Sequence, residues 1–199
     1  MAPHFETVKS FADVELKNGS DAVDTEGFLL ASDGLVAMFD LLGAGVFSFV
    51  QIDLRNNIAG VRQRYESHAS NSTSLEDLVR NEHAEGQKHA AACLTRLIRG
   101  LAFTCLALQT TQSEPSCALH VCFRRAYDVV LKHHHTFLVR SVVTIAIRAV
   151  PRRDQFYAAL CQGGDREKFE QELRRWLDGL EGIVKRTKLF LEDGGYGRV

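Results

Sequence analysis

Proline is almost absent from this chain. It stands only at positions 3, 115 and 151, so over most of the length nothing removes a backbone donor or kinks a helix. Within the proline-free stretches, apolar residues recur at helical spacing. Asp24 and Thr25, followed by GFLLASDGLVAMFDLL, predict a capped amphipathic helix ending near Gly43. VFSFVQIDLRNNIAGVRQRYESH predicts a second, and Ser74 with Asp77 opens a third. Apolar positions 91, 94, 97, 98, 101, 105 and 108 predict one long helix from about Glu82 to Gln109, which SEPS ends. Residues 117–150 carry two more helical patterns that meet near His133–His135, and Pro151 closes the second. A short helix over Asp154–Cys161 and a long one over residues 165–192 complete the chain. Strand-like alternation and two-residue hairpin signals are absent. The expectation is one all-α domain, residues 1–199, of about eight helices.

Composition narrows the setting. With 45% hydrophobic and 25% charged residues the chain can bury a large core. No apolar run of about 18 residues predicts a membrane span, and MAPHFETVKSFADVE has acids where a signal peptide needs an apolar stretch. Five cysteines, an odd number, read as free thiols in a reducing compartment, so a cytoplasmic location is expected. Charge is unevenly spread. Residues 1–40 hold two lysines against eight acids, whereas residues 124–153 hold seven basic side chains against Asp128 alone. The basic stretch, laced with apolar residues, suits an anionic membrane surface, and a solvated helix face accounts for it equally well.

The common chemical motifs are missing. Successive helical positions point about 100° apart, so His133, His134 and His135 cannot all hold one ion while helical, and no HExxH or CxxC accompanies them. No metal or cofactor is expected. No GxSxG marks an acyl-transfer site, and no GxGxxG or Walker loop marks a nucleotide site. Balanced charge argues against nucleic acid. What remains is a set of polar residues on apolar helices. Asp53 and Asn57, at i and i+4, share a helix face. Arg96 lies within AAACLTRLIRGLAF, and His135 precedes an almost continuously apolar helix. These four either satisfy one another and nearby helix ends, or form a binding site.

Several segments, taken in order, resemble the glycolipid transfer protein family. FLLASDGLVAMFDLLGAGVFSFVQIDLRNNIAGVRQRY (28–65) has its FDxLG helix end, then VF, then D-x-x-x-N-I and a basic-Tyr helix end. RLIRGLAF (96–103) resembles the family's arginine-glycine-leucine helix. AYDVVLKHHHTFLVRSVVTIAIRAVPRRDQFYAAL (126–160) resembles its Tyr…Leu…His-x-aromatic block, and Tyr196-Gly-Arg-Val199 echoes its C-terminus. The resemblance implies a two-layer helical sandwich that holds one sphingolipid, its chains between the layers and its headgroup at a surface polar site. By the same resemblance Asp53 bonds the ceramide amide N–H, His135 donates to the amide carbonyl, and Asn57 contacts a sugar headgroup. Phe137 takes the place of a membrane-entrance tryptophan and Val50 that of a neighbouring apolar residue. Phe103, Leu106, Val142, Val143, Ile147 and Leu180 are candidates for the chamber wall or, equally, ordinary core.

The chain departs from both branches of the family. Glycolipid-selective members resemble it less at Arg96, where they carry a tryptophan as a stacking floor, and at Gly60, where they carry a lysine. Ceramide-1-phosphate transfer proteins carry two arginines one turn apart on the long helix. Arg96 matches the second, but Ala92 occupies the first, and Asn57 stands where they have lysine. An arginine fork suits phosphate oxygens, whereas losing an aromatic floor removes a stacking surface for sugar. A phosphosphingolipid such as ceramide-1-phosphate is therefore slightly favoured over a neutral glycosphingolipid, with Arg64 and Arg99 as possible additional headgroup contacts. The resemblance implies a non-enzymatic, monomeric carrier in reversible peripheral contact with membranes, with a non-transferring sphingolipid sensor as the alternative.

Overall fold

The computed structural model describes residues 3–17, 22–41 and 48–199. Nine α-helices are present among them: α1 (His4–Thr7), α2 (Thr25–Leu41), α3 (Ser48–Ser67), α4 (Leu75–Ala84), α5 (His89–Ser113), α6 (Leu119–Val130), α7 (Phe137–Arg148), α8 (Arg153–Cys161) and α9 (Arg166–Asp193). Eight of these exceed two turns, as expected. The predicted helix end at Gly43, and the start of the second helix at Val46, lie outside the described residues.

Side-chain caps fix many of the boundaries. Asp24 accepts from the Gly27 N–H at 2.7 Å, Ser74 from Asp77 at 3.1 Å and Asp165 from Lys168 at 2.9 Å, each satisfying a donor that the helix cannot. The long helix expected from Glu82 is in fact two. Gly86, at φ +75°, turns the chain out of α4, a conformation that costs glycine nothing. The Glu82 carboxylate then accepts the N–H groups of Ala90 and Ala91 at 2.7 and 2.8 Å, so the end of one helix caps the start of the next. A second correction is a small antiparallel pairing of β1 (Leu16–Lys17) with β2 (Ala22–Val23), in register Leu16 with Val23. Two-residue strands are too short for alternation to show in the sequence.

The helices stack as a two-layer all-α sandwich centred on α5, which packs against α3, α4, α6 and α9; α2 covers α3. α5 is long and apolar enough to cross a membrane by length and composition alone, although it contains no unbroken apolar run of that length. In the fold, 67% of its most apolar window is buried. One aromatic cluster joins the N-terminus to α9: Phe5 lies against Phe169 and Trp176, and Phe11 against Trp176 and Phe28. A second joins Phe103, Phe123, Tyr127 and Phe156 at edge-on angles. This second cluster supports the site.

Candidate functional site

α3 and α5 cross closely because two glycines let them. A Cβ on Gly60 would lie 2.5 Å from the Cys93 sulfur, and one on Gly100 3.2 Å from a Leu54 methyl. A Cβ on Gly60 would also come within 3.2 Å of the His89 ring. Farther along, the N-terminal half of α3 and the middle of α5 border an opening.

Into that opening falls a cavity of about 260 Å3 lined by α3, α5, the His134–His135 segment and α7. Its floor and walls are apolar, from Val50, Leu54, Phe103, Leu131, Val139 and Val143. Its polar side chains are Asp53, Arg96, Arg99, Thr104, His134 and His135. Four of the residues expected at a headgroup site, Asp53, Arg96, Arg99 and His135, thus line one cavity although they come from three separate segments. Val50 lines it too.

These side chains differ in what holds them. Asp53 and Arg96 are exposed at the mouth. Arg96 lies beside Cys93, whose thiol is pushed above its ordinary pKa by burial, with Arg96 opposing. His135 is half-buried, and its Nδ1 is 3.3 Å from the Tyr127 hydroxyl. Burial lowers the His135 pKa, while the nearby Asp53 carboxylate pulls it back up. Arg99 is depressed by burial and by Arg96. Its guanidinium donates to the backbone carbonyl of Arg198, through Nε at 3.0 Å and through Nη2. Arg99 therefore anchors the C-terminal tail as well as lining the cavity. That tail lies along α5, with Tyr196 stacked on Phe190 and Gly197 so close to Thr95 that a Cβ there would overlap its hydroxyl.

Other candidates fall elsewhere. Arg64 is a correction: it is buried, does not line the cavity, and makes a two-pronged pair with Glu85 at 2.6 and 2.7 Å. Helical spacing brings it to the side of Asp53, but the carboxylate arriving from the α4–α5 turn captures it. Asn57 is buried too, donating its amide to the Asp53 carbonyl at 2.8 Å. Arg153, the last residue of the basic stretch 124–153, donates to the carbonyls of Thr111, Glu114 and Cys117, satisfying the C-terminus of α5. Of the proposed chamber residues, Phe103 and Val143 line the cavity, Leu180 and Ile147 are core, and Val142 faces solvent.

Sequence reasoning missed two members. Tyr127 is nearly fully buried and orients His135. His134 lines the cavity, whereas the adjacent His133 faces a different groove beside Lys188 and Val199. The three histidines lie in a 3-10 turn and the extended residue after it, so helical spacing never governed where they point.

Large apolar side chains are exposed on two of the helices that line the cavity: Phe137 is 80% exposed, Leu138 76% and Ile145 65% on α7, and Phe49 and Ile52 are exposed on α3. Arg140, also on α7, is held by the carbonyls of Lys132 and His135 at 2.9 Å each.

Comparison with known proteins bears on this arrangement. A model of the family described as glycolipid transfer protein matches residues 23–162. A glycolipid transfer protein of Aureobasidium melanogenum is 39% identical over 188 residues, covering 94% of this chain and 92% of the relative. The crystal structure of HET-C2, a fungal glycolipid transfer protein, superposes with a TM-score of 0.90 at 40% identity over 95% of this chain and 96% of that one. Human ceramide-1-phosphate transfer protein, solved with ceramide-1-phosphate, has a TM-score of 0.86 over 98% of each chain at 20% identity, a likeness of fold. The chain belongs to the glycolipid transfer protein family, whose members are lipid-transfer proteins and not enzymes.

Proposed function

We propose that this protein binds one sphingolipid at a time and carries it between membranes, with a phosphate-bearing headgroup favoured over an uncharged sugar. The observation that carries the reading is the meeting of Asp53, Arg96 and His135 on a single cavity with an apolar floor. A carboxylate and a neutral imidazole facing one space can take an amide N–H and an amide carbonyl together. Glycerolipid esters lack the N–H, so the pair would select against them.

The apolar part supplies need rather than choice. At about 0.8 kcal/mol per methylene, a ceramide with roughly 30 methylenes resists entering water by something like 20–25 kcal/mol. A slot that exchanges one oily environment for another removes that barrier. The cavity of 260 Å3 equals about nine waters at ~30 Å3 each, less than such a lipid fills, so the helices around it would part on loading. Entry would occur at the exposed stripe of Phe137, Leu138 and Ile145, the protein lying reversibly on a membrane surface as a cytoplasmic monomer.

For the headgroup, support for phosphate is the balance of charge. Arg96 and Arg99 face the cavity against Asp53 alone, with no aromatic ring at position 96. A neutral glycosphingolipid is the second reading, and its support is the 39% identity to a fungal glycolipid transfer protein. Exchange between donor and acceptor vesicles decides both points. Labelled ceramide-1-phosphate should move fastest, glucosylceramide more slowly and phosphatidylcholine at the rate without protein. No acceleration of any sphingolipid would refute the carrier reading, and faster glucosylceramide would reverse the headgroup order.

A further inference from the structure

Cys117 and Cys122 bracket the first turn of α6. Ala118 is the N-cap, so Cys117 stands just before the cap and Cys122 is the fourth residue of the helix. Side chains at these two positions fold back on each other, the arrangement by which apolar residues staple a chain to a helix start. Here the staple is made of two thiols, and that of Cys122 hydrogen-bonds with that of Cys117. Backbone contacts hold Cys117 in place. Its N–H donates to the Glu114 carbonyl at 3.0 Å, and its own carbonyl accepts from Arg153 Nη2 at 2.7 Å. The residues before it, 113–116, are exposed, so the small adjustment that disulfide geometry asks can be taken up in solvent. Access differs between the two sulfurs: Cys117 is partly exposed, whereas Cys122 is 0% exposed. The other cysteines lie on other helices, Cys93 and Cys105 on α5 and Cys161 on α8.

The surroundings suit a thiolate. Arg125 and Arg153 both act on the pair, and each is held, Arg125 by the Glu114 carboxylate at 2.8 Å and Arg153 by the carbonyls at the end of α5. Guanidinium groups and a helix N-terminus favour the anion that thiol–disulfide exchange requires. Burial, then the bond to Cys117, raises the Cys122 thiol, so the exposed Cys117 is the sulfur that reacts first. We infer that Cys117 and Cys122 form a reversible redox pair, closed to an intramolecular disulfide by a low-molecular-weight disulfide such as glutathione disulfide, which locks the α5–α6 loop onto α6. The Cys117 thiolate attacks one sulfur of the small disulfide, whose S–S bond breaks; the thiolate expelled takes up the proton that Cys117 released. Cys122 then gives up its proton, its sulfur attacks the Cys117 sulfur, and the second small thiol leaves. Two protein thiols are oxidised and one small disulfide is reduced to two thiols. Excess small thiol runs the sequence backwards, so in a reducing compartment the bond is transient.

The test incubates the reduced full chain with glutathione disulfide, as wild type, Cys117→Ser and Cys122→Ala. Free thiols are then blocked with N-ethylmaleimide in denaturant, and chymotrypsin, cutting after Leu119, separates the two cysteines for mass spectrometry. Wild type should yield the Cys117 and Cys122 peptides joined to each other, with Cys93 and Cys105 carrying maleimide, and dithiothreitol should part them. Cys122→Ala should stop at the mixed disulfide of Cys117 with glutathione, about tenfold or more above its level in wild type, because the neighbouring thiol that resolves it is gone. Cys117→Ser should leave Cys122 a free thiol. A wild type in which Cys117 keeps its glutathione, takes none, or pairs with another cysteine or a second copy of the chain would overturn the inference. The wild-type result decides even where a variant fails to fold, and no lipid enters the assay, so the carrier reading stands or falls separately.

Discussion

The Tyr127 hydroxyl lies 3.3 Å from Nδ1 of His135, with the two rings 5.7 Å apart and tilted by 41°. Tyr127 is 1% exposed and packs edge-on to Phe103, so the aromatic cluster beneath the cavity fixes one nitrogen of the imidazole. The other nitrogen is left for a ligand. Tyr127→Phe should retain the fold and lose about three- to tenfold in sphingolipid transfer, the scale of one hydrogen bond that orients another group. His135→Ala should cost more, and adding Tyr127→Phe to it should cost nothing further. Additive losses in that cycle would show that Tyr127 does not act through His135.

Asp53→Val should abolish transfer without unfolding the protein, because the carboxylate is exposed and no salt bridge among the described residues uses it. Circular dichroism and melting temperature check the fold, and vesicle exchange checks the loss. Retained transfer would mean that the amide is read elsewhere.

Arg96→Trp restores an aromatic floor and removes a cation. Ceramide-1-phosphate transfer should fall about tenfold, the worth of a charge-assisted hydrogen bond, while glucosylceramide transfer is unchanged or faster. The opposite ranking would assign the natural ligand to the glycolipids.

Phe137→Asp places a charge on the exposed stripe of α7. Binding to anionic vesicles should weaken by about tenfold or more, with solution stability unaltered because this ring buries little surface in the fold. Sedimentation of the protein with vesicles measures the first and a melting curve the second.

Acid should loosen the fold over a defined window. His4, His134 and His135 all have pKa values lowered by burial, that of His134 to about 4. Between pH 6.5 and about 4 the unfolded chain therefore binds protons that the folded chain refuses, and stability falls as pH falls. Glu76, raised by burial, works the opposite way, whereas Glu85 and Asp13, held low by Arg64 and Arg175, add to the loss at the acid end. A melting temperature that rises from pH 7 to pH 5 would contradict this assignment. Replacing His134 with Phe should flatten the slope.

Helix positions were legible because capping and spacing are local. Ser74 with Asp77 and Asp24 with Gly27 lie three residues apart, and both caps are present. The turn at Gly86 was not legible, since a single glycine in a helical pattern does not reveal whether the chain adopts positive φ there. The site was legible only through resemblance. Asp53 and His135 are far apart in sequence, and no periodicity says that α3 and the segment before α7 border one cavity. Arg64 was misassigned for the converse reason: helix geometry places it correctly, but its partner Glu85 comes from another turn of the chain. His134 stayed invisible because the direction of a side chain in a 3-10 turn is set by tertiary packing.

The crossing of α3 over α5 leaves the Cys93 thiol wedged against Gly60, 4% exposed. A movement that parts the two helices at this crossing would uncover that sulfur, so its alkylation, resolved from that of the less buried Cys117 and Cys161, would report the parting. A maleimide would find it slowly while the helices are packed and faster once they part, so a native thiol can serve as the reporter.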